Sequence, residues 1–167
     1  YNWYFADREL YPNKLFNEKK HRLDSKEVSY RVINHWEQKG LLTSERTDDK
    51  GWRKYSMLDL VWIEIVIELR NFGFPLEKIA IVKDCLTKNR NKKSVMPTLE
   101  LYSTFTYTIQ PVFLLVFSNG DAIPCSLTEF KEAKANGLKG NAILISLDEI
   151  MQKLLPNTKH KPDYDST

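Results

Sequence analysis

The sequence predicts an α+β protein in two modules: helices around one short hairpin, then a small mixed unit. Three observations carry this. Apolar residues recur at spacings of three and four through Val32, Ile33 and Trp36, and again from Leu58 to Leu69, the period of helices with one buried face. Between these runs lies Asp48-Asp49-Lys50-Gly51, a polar turn flanked by short aromatic and polar stretches that read as hairpin arms. Beyond the basic stretch TKNRNKKSVM at 87–96, short apolar runs of strand length take over, VFLLVF at 112–117 and AILISL at 142–147.

Each element follows from local chemistry. Residues 1–11 are aromatic-rich and fit no class. Residues 13–21 predict a short helix burying Leu15 and Phe16, and 23–27 a turn. Ser29 stands where a helix N-cap belongs, because its hydroxyl serves a free N–H of the first turn. Gly40 stands where the helix stops, since glycine adopts the left-handed backbone at no steric cost. Ser56 caps the next helix, with Asp59 in its first turn favoured by the dipole. Leu58, Val61, Trp62, Ile65, Val66 and Leu69 form its apolar stripe. NFGFP at 71–75 ends that helix, and Pro75 opens another at its first turn, burying Leu76, Ile79, Ile81, Val82 and Leu86. Residues 97–109 read equally as a helix begun by Pro97 or as a strand, given their threonines and tyrosines. Asn119-Gly120 is the preferred tight-turn dipeptide of a hairpin. Ser126 and Glu129 form a capping box for a helix, and LDEIMQKLL makes the last one. The modules are therefore expected at 1–87 and 97–155, with a flexible tail at 156–167.

Composition narrows the function. The chain of 167 residues is 42% hydrophobic and 28% charged, enough for packed cores. A net charge of +3 permits a nucleic-acid partner without demanding one. Cys85 and Cys125 lie far apart, with no CxxC pair or histidine cluster near them, so no metal site and no disulfide scaffold is expected. No apolar run reaches the length of a membrane span, and a cytoplasmic location is the expectation. Catalytic signatures such as GxSxG, a P-loop, GxGxxG and HExxH are absent. The expectation is a protein that is not an enzyme and uses no cofactor.

Two helices, a two-stranded wing and a further helix pair make a DNA-reading arrangement. The series VSYRVINHWEQKGLL (28–42), Arg46, GWRKYS (51–56), Asp59-Leu60 and ELRNFGFPLEKI (68–79) resembles the MerR family of winged helix-turn-helix regulators, over about residues 25–86. The resemblance implies a sequence-specific transcription regulator of bacterial type, a homodimer on a near-palindromic duplex, with RNA polymerase as a further partner. It departs from the family in two places. The long dimerising helix of such proteins would have to run through 87–97, which Asn91, the lysine run and Pro97 interrupt. The charged segment before residue 27 does not align with the usual first helix.

The first turns of a recognition helix project side chains into the major groove. Here these are Tyr30, Arg31, Asn34 and His35, with Ser29 placed for a phosphate. Arg31 falls on the family's arginine. Alone it would more often be a solvated charge. Asn34 has the chemistry to pair with adenine. His35 reads equally as a packed histidine and a DNA contact. Trp36 and Trp62 belong to the core by their spacing. Trp52 and Tyr55 are balanced between packing beneath the wing and touching sugar-phosphate, and Lys50 is an even case at the tip. Arg53 is the expected phosphate contact. Leu101, Phe105 and Ile109 form the candidate dimer face, or else cover the C-terminal sheet. An excisionase-like or architectural DNA-binding factor is the alternative on the same fold, and a protein-interaction module with a vestigial wing is the alternative outside it.

Overall fold

The computed structural model describes residues 12–23, 26–43, 52–88, 95–108 and 110–156. The elements are α1 (Pro12–Asn17), α2 (Tyr30–Gln38), α3 (Met57–Asn71), α4 (Leu76–Thr87), α5 (Pro97–Thr108), β1 (Val112–Phe117), β2 (Ala122–Ser126), α6 (Leu127–Ala135), β3 (Ala142–Ser146) and α7 (Leu147–Leu154). The chain is thus mixed helix and sheet. It divides into two compact units between Ile67 and Glu68, within α3. The expected turn at 48–51, the first residues 1–11, Ile109 and the tail beyond 156 lie outside the described residues.

In the first unit, α2 starts as its sequence requires. Ser29 is extended, and its hydroxyl accepts the Val32 N–H. The helix ends in a Schellman closure. Gly40 has φ +71°, and the N–H groups of Gly40 and Leu41 donate to the carbonyls of Glu37 and Trp36 at 2.9 Å each. Ile33 and Trp36 face the core. The buried indole of Trp62 donates to the Leu41 carbonyl at 2.9 Å, which ties the end of α2 to α3. Phe16 of α1 is buried as expected, while Leu15 is only half-buried.

α3 is capped from both sides. The Asp59 N–H donates to the Ser56 hydroxyl at 3.0 Å, and the Ser56 N–H donates to the Asp59 carboxylate at 2.7 Å. Lys19 pairs with the same carboxylate at 2.5 Å. The predicted stripe is buried, but Leu60, Ile63 and Ile67 on other faces are buried too. A helix this apolar all round packs on most of its circumference. The return arm at 52–56 is held at Tyr55, which bridges antiparallel to His21 through N–H···O bonds of 2.8 and 2.9 Å.

In the second unit, Pro75 is the extended N-cap of α4 rather than its first helical residue. Ile79, Val82 and Leu86 are buried, but Ile81 is 40% exposed. It falls between the buried positions of the 3.6-residue period, so only one side of α4 is inside. Residues 97–108 form a helix, α5, which decides that ambiguity. The sheet has strand order β2-β1-β3, antiparallel throughout. Leu114 pairs with Pro124 on one side and Ile145 on the other. Pro124 is tolerated because β2 is an edge strand. On one sheet face Val112, Leu114, Val116 and Ile145 are buried. α5 and α7 pack on β1, α4 and α6 on β2, and α5 also lies against α4 and α7. The Ser126–Glu129 capping box forms as the sequence predicts.

Candidate nucleic-acid interface

The candidate site lies within the first unit, where α2 meets Arg22, Leu23, Val28 and the arm 52–55. Its outer residues sit on one helix. Ser29, Tyr30, Arg31, Asn34 and His35 are all exposed, and Tyr30 is 61% exposed. Across from them Trp52 is 62% exposed and is not packed beneath the arm. The Arg22 guanidinium lies over the Trp52 ring, 5.1 Å from its centroid, a cation–π contact worth ~0.5–1 kcal/mol at an exposed position. A cavity of about 390 Å³ opens between these parts, lined among others by Arg22, Val28, Tyr30, Trp52, Arg53 and Tyr55.

Arg53 differs from the sequence expectation. It is buried, with 8% exposure, and turned toward α2. Its Nη2 donates to the Asn34 side-chain oxygen and pairs with the Glu37 carboxylate at 3.0 Å. The guanidinium lies 5.9 Å from the Tyr30 ring centroid. Its Nε and Nη1 are buried, and neither has a hydrogen-bond partner among the described residues. The reason is geometric. The backbone pairing of Tyr55 with His21 alternates the side chains of the arm. Trp52 and Lys54 face out, while Arg53 and Tyr55 face in. Arg53 in this state clamps the arm to α2.

Tyr55 takes the packed alternative, at 2% exposure. Burial, and secondarily the Glu37 carboxylate, push its hydroxyl up from 10.0 to about 12. His21 is shifted the other way, held below the ordinary histidine value by burial and by Lys20. Lys50 lies outside the described residues. Sequence reasoning missed Glu37 and Arg22. Glu37 was visible as part of the Trp-Glu pair late in the helix, one turn after Asn34, but its partner lay across a long separation. Arg22 carried no local signal.

Among the described residues there is no His, Cys, Asp or Glu group that could hold a metal ion, and no helix is long and apolar enough to cross a membrane.

Comparison with known proteins bears on this site directly. The model of the MerR HTH family regulatory protein matches residues 26–84. The chain is similar to the HTH-type transcriptional activator TipA of Streptomyces coelicolor, and to that of Streptomyces lividans. Each is 33% identical over 57 residues, covering 34% of this chain and 22% of the relative. The chain thus spans about a fifth of the length of the curated relatives it matches. No solved structure matches it. The matched stretch runs from just before α2 into α4 and contains the exposed helix face, the Arg53 arm and the junction after α3. Residues 26–84 are therefore a MerR-family helix-turn-helix module.

Proposed function

We propose that the protein is a DNA-binding transcription regulator that reads duplex DNA through α2, with residues 44–56 acting as a wing. The carrying observation is the row of exposed Tyr30, Arg31, Asn34 and His35 on the first turns of a helix within a MerR-family module. Arg31 reaches a guanine edge or a phosphate. The Ser29 end of α2 and Lys50 serve the backbone. Trp52 and Arg22 lie against sugar-phosphate at the flank. Arg53 supports this surface from below by holding the arm on the helix.

The protein acts as a homodimer, which matches two half-sites of a near-palindromic duplex. Its dimer face includes Leu101, exposed on α5, and Phe105, whose ring lies 6.0 Å from that of Tyr102. Ile109 continues that face in the sequence. Bound at a promoter, such a dimer would sit beside RNA polymerase.

Binding to duplexes selected from a random library tests the reading. Arg31→Ala should weaken the selected site at least tenfold, the scale of one strong base or phosphate contact. Unchanged affinity in Arg31→Ala and Tyr30→Ala alike would sink it. Mass measurement in solution and on the selected duplex tests the dimer, and a single copy bound per site would refute it.

A further inference from the structure

We infer that the clamp on Asn34 sets what this residue reads: Asn34 recognises guanine, as a donor only, rather than adenine. The inference rests on the DNA-reading role proposed for α2.

An asparagine amide has one acceptor end and one donor end. Adenine recognition in the major groove uses both, with the carbonyl accepting from N6–H and the NH2 donating to N7. In this protein Oδ1 of Asn34 accepts from Nη2 of Arg53. The orientation of the amide is fixed by chemistry, because a guanidinium has only donors and the atom facing it must be the oxygen. Arg53 cannot easily turn away. It is buried, and the same nitrogen is held by Glu37 at 3.0 Å. Leaving a buried charge with fewer partners is costly. The oxygen end of Asn34 is therefore drawn onto the buried clamp.

Asn34 itself is exposed on the row of candidate contacts, one turn after Tyr30. Arg53 takes one of the two lone pairs of Oδ1, and because the two ends of the planar amide diverge, turning the oxygen inward leaves the NH2 as the end aimed at a ligand. Two N–H donors with no acceptor fit a base edge carrying two adjacent acceptors. Guanine presents O6 and N7 in the major groove, whereas adenine presents a donor beside N7. Glu37 and Arg53 are thus specificity-determining without touching a base.

The experiment selects duplexes from a randomised pool with the full chain, and repeats the selection with Asn34→Ala and Asn34→Asp. Position preferences that vanish in Asn34→Ala mark the Asn34 base. The expected base there is guanine, and replacing it with 7-deazaguanine should weaken the wild-type protein about fivefold while leaving Asn34→Ala unmoved. Asn34→Asp keeps an acceptor for Arg53 but has no N–H, so it should lose the guanine preference. Adenine at that position, or no position that depends on Asn34, overturns the inference while the DNA-binding reading stands. Absence of any selectable duplex overturns the reading and the inference together. Arg53→Met frees the Asn34 oxygen and should move the preference from guanine toward adenine. Circular dichroism checks that this variant is folded. Retained guanine preference in the folded variant would also count against the inference.

Discussion

At the level of single residues, the interior of the site is a charge problem. Arg53 and Glu37 have side-chain exposures of 8% and 18%, so neither is well hydrated. Removing one partner strands the other. Glu37→Ala is expected to lower stability by about 3 kcal/mol, in the range for a broken buried pair. The double variant Glu37→Met with Arg53→Met should recover most of that loss, because apolar groups of similar volume replace the pair with little net cost. Urea unfolding of the single and double variants checks this, and a double variant no better than the single one would refute it. Tyr55 gives a pH signature. Its folded value, about 12, lies above the unfolded 10.0. The folded protein therefore keeps a proton that the unfolded chain releases. The stabilisation is complete below pH 10 and is lost as pH rises from 10 through 12, by about 2–3 kcal/mol for two units. Unfolding midpoints measured across that range should fall less steeply in Tyr55→Phe than in the native chain.

Among the elements, the closures carry the most readable energetics. The two glycines Gly40 and Gly120 both have positive φ, +71° and +93°, yet their surroundings differ. A Cβ on Gly40 meets nothing within 4 Å, whereas one on Gly120 would stand 2.8 Å from the Lys78 carbonyl oxygen and 3.0 Å from the Ile81 Cβ. Gly40→Ala should cost about 1 kcal/mol, the left-handed backbone term alone. Gly120→Ala should cost about 3 kcal/mol, since the β1–β2 turn must also move off α4. Thermal melts of the two variants decide this by rank, and equal shifts would show that the close approach at Gly120 is not what matters. The same logic applies between α2 and α3. Trp62→Phe leaves the buried Leu41 carbonyl without its donor and should cost about 2 kcal/mol, from the orphaned acceptor and the smaller ring.

For the whole molecule, the proposed DNA function separates two roles for arginine. Arg31 is exposed, while Arg53 is buried in a clamp. Arg31→Ala should reduce affinity, and if it meets a phosphate it should lower the slope of log affinity against log salt by about one. Arg53→Ala should weaken binding through the loosened arm, with the salt slope nearly unchanged. Titrations at several salt concentrations distinguish the two, and a slope that falls by one in Arg53→Ala would return that residue to the phosphate.

Much of this architecture was legible in the chain. Ser29, Gly40, Ser56 and the Ser126–Glu129 box fixed helix ends because caps act over three or four residues. Asn119-Gly120 fixed the hairpin for the same local reason. The ordered series from Val28 to Ile79 carried the family of the module, since it is a pattern along the chain. Tertiary structure decided what depends on partners distant in sequence. Residues 97–108 hold both helix and strand propensity, and packing of Leu99, Ser103 and Thr106 settled the helix. Arg53 looked like a solvent-facing cation because its spacing fits a surface arm. Only the pairing of Tyr55 with His21 shows that this arm turns Arg53 inward, onto Asn34 and Glu37. Which way a side chain faces on a short extended arm is set by the strand it pairs with, and that partner lay more than thirty residues back in the chain.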